Sequence, residues 1–491
     1  MSKLVYISEF QELFDLVQRT HLFEDQKTMA DAYPLEDISV INEKFNLQKN
    51  NKDFDLKKFV SQYFSFNENV ETESRETLSI DKHIEKLWDE LSRKASENKG
   101  TLIGLPKPYL VPGGRFDEFF YWDSYFVMLG LQVSGRISQM KDIIDNCAFL
   151  INEYGFVPNA NRSYFLTRSQ PPFFSLMLEL YAETINNEDF IQEYIPELEK
   201  EYAYWMDGIE NLDYKSACNK VVKLSDGSVL NRYCDTSNEP RYESYMIDID
   251  HAKESQNREF MKAVRSACES GWDFSSRWFA DGKNINSVET HLILPIDLNC
   301  LMWNLENVLA KAYSMLDNKK AEFYSEKADE RKAAINKFFW DEDKENFFDY
   351  QFINQKTKEI ESIACIFPLY FNLVNKNKAE KVMKALEDRF LKPGGLITTN
   401  LFTGQQWDAP NGWAPSQWMA YVAMKKYHFD DFAKKIKNNW CSNIDRVYEN
   451  THKLMEKYNV IDIESKAGGG EYPNQDGFGW TNAVYIKMKS L

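Results

Sequence analysis

The sequence predicts an all-α fold, and three observations carry that prediction. From about residue 120 onward, apolar residues recur at helical spacing. Regular strand alternation is rare. The glycines, tryptophans and unpaired charges fall between the periodic segments rather than within them. Helix therefore alternates with loop along most of the chain, as paired helices around one core with functional loops at one end would require. Helical periodicity alone leaves a toroid, a solenoid and an irregular α bundle all open.

Residues 1–100 are rich in Lys, Asp, Glu and Asn and are expected to form a helical extension packed on the main helical body, residues 101–491. One helix is clear there. In "SIDKHIEKLWDELSRKAS", Ile80, Ile84, Leu87, Trp88 and Leu91 share a face, with Ser79 or Asp81 as cap. Further on, Leu301, Leu305, Val308, Leu309, Ala312 and Leu316 make one stripe, which "DNKK" interrupts. Tyr324, Ala328, Ile335, Phe338 and Phe339 make a second. A third runs through Ala379, Val382, Met383, Leu386 and Phe390 and stops at "KPGG", Lys392 to Gly395. "LITTNLF", Leu396 to Phe402, reads as a single short strand.

Composition narrows the function classes. Across 491 residues the formal net charge is −17, which disfavours nucleic acid and anionic membrane surfaces as partners. There is no apolar run of about 18 residues, so a membrane span is not expected. The start, "MSKLVYISEFQELFDLVQRT", lacks a sustained apolar core and does not read as a secretory leader. The seven cysteines are scattered without a C-x-x-C pair, which suits buried thiols in a reducing compartment. Together these point to the cytoplasm. No H-x-x-x-H or H-E-x-x-H pair suggests a metal, and no nucleotide loop or nucleophile elbow is present. Aromatic residues reach 15%, enough for an aromatic core or a sugar pocket lined with flat faces.

Four loops combine Gly or Pro, Trp and a carboxylate within a few residues. They are "PGGRFDEFFYWDSY" (112–125), "ESGWDFSSRW" (269–278), "QWDAPNGWAPSQW" (406–418) and "AGGGEYPNQDGFGWTN" (467–482). Between them lie "PNANRSYFLTRSQPPFF" (158–174) and "EPRYESY" (239–245). Glycosidic bonds are cleaved most often by two carboxyl groups, one giving a proton and one activating water or attacking carbon. The acid needs an apolar setting that raises its pKa, and Asp273 sits between Trp272 and Phe274. Glu471 follows three glycines, which can hold it at the rim of a cavity where a Cβ would obstruct. The bland alternatives are a helix cap for Asp273 and a solvated turn for Glu471. Arg115, Arg168 and Arg241 offer planar donor forks for hydroxyls or carboxylates. Trp122, Trp272, Trp407, Trp413 and Trp480 can stack on sugar or fill the core. Asp123 and Asp408 are rival carboxylates.

Taken together, these segments resemble the trehalases of glycoside hydrolase family 37, in the family's order and across roughly residues 105–485. "PGGRFDEFFYWDSY" and "QWDAPNGWAP" are similar to its two signature segments. The resemblance implies an (α/α)6 barrel, hydrolysis of α,α-trehalose to two glucose molecules with inversion, and no cofactor or metal. It implies Asp273 as general acid and Glu471 as general base. It implies substrate contacts at Arg115, Trp122, Asp123, Asn159, Arg168, Ser169, Gln170, Arg241, Glu243 and Gly271, and Trp407 and Asp408, within the second signature segment, are expected to join them. The expected partner is a small sugar, with no nucleic acid or membrane, and the expected state is a monomer. Three positions depart from the family pattern. Phe120 replaces a Tyr, Tyr242 replaces a Pro between Arg241 and Glu243, and the glycine run before Glu471 is one shorter, with Ala467 first. A toroidal glycosidase acting on another α-glucoside is the second reading. A trehalose-binding protein without catalysis is the third, and retention of both carboxyls speaks against it.

Overall fold

The computed structural model describes residues 3–66, 78–213 and 216–491. Six helical segments form the centre: Tyr121–Val133, Phe174–Ile185, Ile296–Tyr313, Phe367–Tyr370, Ala414–Lys426 and Gly479–Lys489. Each packs on the next, and the last packs on the first, so the ring closes. Their sequences explain the position. Residues 121–131 are buried without interruption, as are 414–421 and 479–486. A helix apolar all round has no solvent face to offer and goes to the middle.

The outer helices are one-sided. Ile80–Glu90, Ile137–Tyr154, Ile195–Trp205, Asn318–Phe338 and Asp430–Thr451 each pack on at least one inner helix, and Lys376–Ala385 follows the shortest inner one. In Asn318–Phe338 only Tyr324, Ala328, Arg331, Ala334 and Ile335 are buried, at spacings of three and four around one stripe. This is an (α/α)6 barrel. Among the described residues, strands are two or three residues long and pair in sheets of two or three. No helix among them is long and apolar enough to cross a membrane.

The three predicted stripes fall on helices. The first lies on the inner helix Ile296–Tyr313, with Leu316 exposed beyond its end. The "LITTNLF" strand does not form as expected. Only Leu396 is in a strand, with Gly395, paired to Leu391–Lys392. Thr398 instead donates its backbone N–H to Asn411, and Thr399 donates its hydroxyl to Asp408 at 2.8 Å. Buried polar partners outcompete a continued ladder there.

Two apolar clusters organise the interior. The main one runs through the barrel and includes Ile84, Leu87, Trp88 and Leu91. The second gathers buried residues from Val5 to Phe64 with Ala160, Tyr164, Phe165, Tyr245 and Met246. The N-terminal segment thus sits on the loops at one mouth of the barrel. Four of the motif loops lead directly into inner helices, at Tyr121, Phe174, Ala414 and Gly479. Sequence-distant motifs meet because the N-terminal ends of these helices share one mouth.

Candidate active site

A cavity opens at this mouth. Its wall includes Arg115, Trp122, Asp123, Asn159, Arg168, Gln170, Arg241, Glu243, Gly271, Asp273, Trp407 and Glu471. Ser169 and Asp408 are fully buried and are not part of that wall. Ser169 donates its hydroxyl to the Val157 carbonyl at 2.6 Å and its N–H to Glu269 at 3.0 Å. Asp408 accepts from Ser275, Ser276, Thr399 and Thr403. Both hold loops in place rather than face the cavity.

Five tryptophans stack into one group beneath the cavity. Trp407 lies parallel to Trp413 with ring centroids 4.1 Å apart and to Trp272 at 5.0 Å. Trp122 and Trp480 pack against the stack from the sides. Trp272 backs the stack, and the other four reach the cavity. Gly271 has φ +75, and a Cβ there would stand 2.8 Å from the Trp122 indole. That close approach is open to glycine alone.

The loop carrying Asp273 is anchored on its far side. Arg277 is buried between Asp297 and Asp349, each at 2.7 Å. Asp349 also accepts the N–H of Ile296, so the loop is tied to the start of an inner helix. A fully hydrogen-bonded buried network of this kind holds one geometry, and removing one partner strands a charge. Trp278 donates its indole N–H to the Trp272 carbonyl at 3.0 Å.

The two proposed catalytic carboxyls have opposite surroundings. Among the described residues, the Asp273 carboxyl makes no hydrogen bond to another side chain. Burial raises its pKa to about 7, assisted by the Glu471 charge and opposed by Arg241. Glu471 is gripped. Arg241 donates to both of its oxygens at 2.7 and 3.1 Å, and Ser244 donates at 3.1 Å. Arg241 is itself fixed by Asp248, whose Oδ2 accepts from Nε at 3.0 Å. Two glycines present Glu471. Gly469 and Gly470 have φ +84 and +85, and a Cβ on Gly470 would lie 2.9 Å from Gln406. The glycine run lets the backbone turn left-handed against a neighbouring loop and aim one carboxylate inward.

Other groups offer unfilled hydrogen-bonding capacity. Arg168 donates to Asn159 at 2.9 Å and to Glu243 at 2.6 Å, while its Nη1 and Glu243 Oε2 are buried without a hydrogen-bond partner. Arg115 pairs with Asp25 at 2.8 Å, and its buried Nε is likewise open. Asp123 lies in the first turn of its helix, and burial pushes its pKa well above the usual carboxylate range. Gln170 accepts the Trp122 N–H at 3.1 Å. A polyhydroxylated ligand would meet donors and acceptors on several sides.

Sequence reading did not single out Lys27, Phe116, Phe165, Ser244, Glu456, Tyr472 or Phe478, which also line the cavity. Tyr472 lies within a quoted motif next to Glu471. Glu456 lies in "MEKYN", outside any glycine- or tryptophan-rich segment, and nothing in that string marks it. Two departures from the family pattern serve packing. Phe120 stands edge-on to Phe116. Tyr242 donates to Gln11 at 3.2 Å and stacks beside Tyr245, joining the N-terminal cluster to the loop of Arg241. Among the described residues, no group of three or more His, Cys, Asp or Glu could hold a metal ion.

The structure is similar to solved glycosidases. The neutral trehalase of Saccharomyces cerevisiae superposes with a TM-score of 0.64 at 24% identity, over 78% of this chain and 73% of that one. A mannosylglycerate hydrolase of Thermus thermophilus superposes with a TM-score of 0.55 at 13% identity, over 84% of this chain and all of that one. Both likenesses concern the fold. In sequence, the periplasmic trehalases of Escherichia coli O1:K1 and of Shigella flexneri serotype 5b are each 45% identical over 486 residues, 98% of this chain and 86% of theirs.

These relatives correct the cytoplasmic expectation, because they are named as periplasmic proteins. The cysteine argument behind that expectation does not discriminate. All seven are free thiols, six buried and Cys218 half-buried, and a thiol shut away from solvent and from other thiols persists in either compartment. The sequence profile of the trehalases matches residues 21–490, and with the 45% identity across nearly its whole length this chain belongs to the trehalase family.

Proposed function

We propose that the chain carries out the family's reaction, hydrolysis of α,α-trehalose to two glucose molecules, by single inversion with Asp273 as general acid and Glu471 as general base. The observation that carries this reading is the contrast between the two carboxyls in one cavity. Asp273, raised to about 7 by burial, keeps its proton near neutrality. Glu471 is oriented by Arg241 and Ser244. Asp273 gives its proton to the glycosidic oxygen as the C1–O bond breaks. Glu471 takes a proton from a water, whose oxygen bonds to C1 on the opposite face. The step consists of proton transfers and one substitution, so it calls for no redox or group-carrying cofactor.

Around this centre, Arg168, Asn159 and Glu243 are proposed to bind sugar hydroxyls from one side and Arg115 from the rim. Asp123 and Gln170 serve the deep end beside Trp122. Trp407 and Gly271 shape the wall. Arg241 acts mainly through Glu471. Ser169 and Asp408 support loops without touching sugar. The test is steady-state glucose release by Asp273→Asn and Glu471→Gln. Each is expected to lose about 10²- to 10⁴-fold in kcat, the usual share of general acid–base catalysis, with the fold retained by circular dichroism. Near-native turnover in either variant would remove that residue from its role.

A further inference from the structure

Among the described residues that line the cavity, Lys27 alone comes from the N-terminal segment. It belongs to a turn that reaches the rim from outside the barrel. Three consecutive side chains of that turn each grip a different point. Asp25 accepts from Arg115 Nη2 at 2.8 Å. Gln26 accepts the backbone N–H of Met246, two positions beyond Ser244, at 2.7 Å. Lys27 is buried and donates to Glu118 at 2.7 Å and also to Asp31. Arg115 and Glu118 lie on one motif loop, and Met246 directly follows another. One turn therefore ties together two loops that border the cavity.

The turn is itself rigidly held. The Asp25 oxygen that meets Arg115, Oδ1, also accepts the Lys27 N–H at 2.9 Å, and the Asp25 carbonyl accepts from the Thr28 N–H at 3.1 Å. The Gln26 carbonyl accepts from the buried Gln18 at 2.9 Å. Glu118, which takes the Lys27 ammonium, also accepts from Arg162 at 2.9 Å. The Asp25 carboxylate is thus presented from a fixed mount. Arg115 is constrained in a complementary way. Its N–H donates to Gln475 at 2.8 Å, and its guanidinium lies over the Tyr472 ring at 5.0 Å. Its Nε is buried without a hydrogen-bond partner. A guanidinium is planar, so holding one face and one Nη also fixes the direction of Nε.

We infer that Asp25, supplied by the N-terminal segment, is a positioning residue that orders the Arg115 guanidinium before sugar arrives and so aims its Nε at a sugar hydroxyl. The inference rests on the proposed sugar contact of Arg115 and not on the roles of the two carboxyls. A long side chain ordered in advance loses less freedom when the ligand binds, and the gain appears as tighter engagement of the sugar. Asp25 is 46% exposed, and so exposed an ion pair adds little to stability. Its effect therefore belongs to catalysis and binding rather than to folding.

The experiment is a double-mutant cycle read as kcat/KM on trehalose, with Asp25→Ala, Arg115→Lys and the pair combined, and with Asp25→Glu as the conservative variant. Asp25→Ala is expected to lose at least about tenfold, and Asp25→Glu, which keeps the carboxylate, to stay within about threefold of the parent. In the Arg115→Lys background, where the Nε donor is already gone, Asp25→Ala should change kcat/KM by less than about threefold, because Asp25 acts through Arg115. Unfolding temperatures should stay near the parent's. If Asp25→Ala does not fold, Asp25→Asn, which still accepts the Lys27 N–H, takes its place in the cycle. Parent-like kinetics in Asp25→Ala would overturn the inference. So would an equal loss in both backgrounds, or a loss in Asp25→Glu as large as in Asp25→Ala. If Arg115→Lys is impaired while Asp25→Ala is not, only the positioning role fails. If Arg115→Lys itself matches the parent, the sugar contact of Arg115 fails and the inference with it.

Discussion

Asp273 illustrates how opposing terms set one group's chemistry. Burial among Trp272, Phe274 and the cavity wall raises its pKa, the Glu471 charge raises it further, and Arg241 and Arg168 oppose both, leaving it at about 7. The sign follows directly. In the proposed role the general acid works when protonated, so its contribution is full below this value and is lost as pH rises through it, by about tenfold per unit well above. The alkaline limb of the pH–kcat/KM profile should therefore lie near 7 and vanish in Asp273→Asn. A profile flat to pH 9 would count against the assignment. At this scale the sequence was legible where a motif was idiosyncratic. Asp273 beside Trp272 and Phe274, and Glu471 after its glycines, stand out in one dimension. Glu456 does not, because its string is ordinary and only the fold brings it to the cavity, and Ser244 went unmarked inside a quoted segment because its neighbours Arg241 and Glu243 drew the reading. Asp408 shows the converse. A carboxylate beside tryptophans suggests a site, yet its neighbours supply enough hydroxyl donors to make it an internal anchor.

The loop of Glu471 is the element that sequence explained in part. Three consecutive glycines signal unusual backbone, and two of them take positive φ. What they approach could not be read, because Gly404 and Gln406 lie more than 60 positions away. Gly470→Ala would force a side chain into the left-handed region, at a cost of about 1–2 kcal/mol, and push Gln406 aside. Its kcat is expected to fall at least about tenfold with a smaller change in KM. Unchanged kinetics would mean the loop adapts freely. The long helices were legible because their period is local and repeated. "LITTNLF" was not, because β-branched residues suit a strand equally well whether their backbone pairs along a ladder or satisfies scattered buried partners.

At the scale of the molecule, ring closure and the place of residues 3–66 are long-range facts. Gln11 bonds to Tyr242 across 231 positions, and Asp25 pairs with Arg115 across 90. No local pattern encodes either. The N-terminal segment packs Phe14 edge-on against Tyr242 and Tyr245, and so braces the loop that carries Arg241. Phe14→Ala should cost about 3–5 kcal/mol, seen as a lowered unfolding temperature, and should loosen this loop enough to reduce turnover. Native stability with native turnover would show that the segment is dispensable to the site.

The central claim is inversion by this acid–base pair, and the most direct measurement is proton NMR of trehalose hydrolysis from its earliest minutes, before mutarotation mixes the anomers. Trehalose has two α-linked anomeric carbons. Inversion at one releases β-glucose and leaves the other half as α-glucose, so equal early amounts of both are predicted, with neither formed by Asp273→Ala or Glu471→Ala. Early release of α-glucose alone would mean retention at the attacked carbon and would contradict the account.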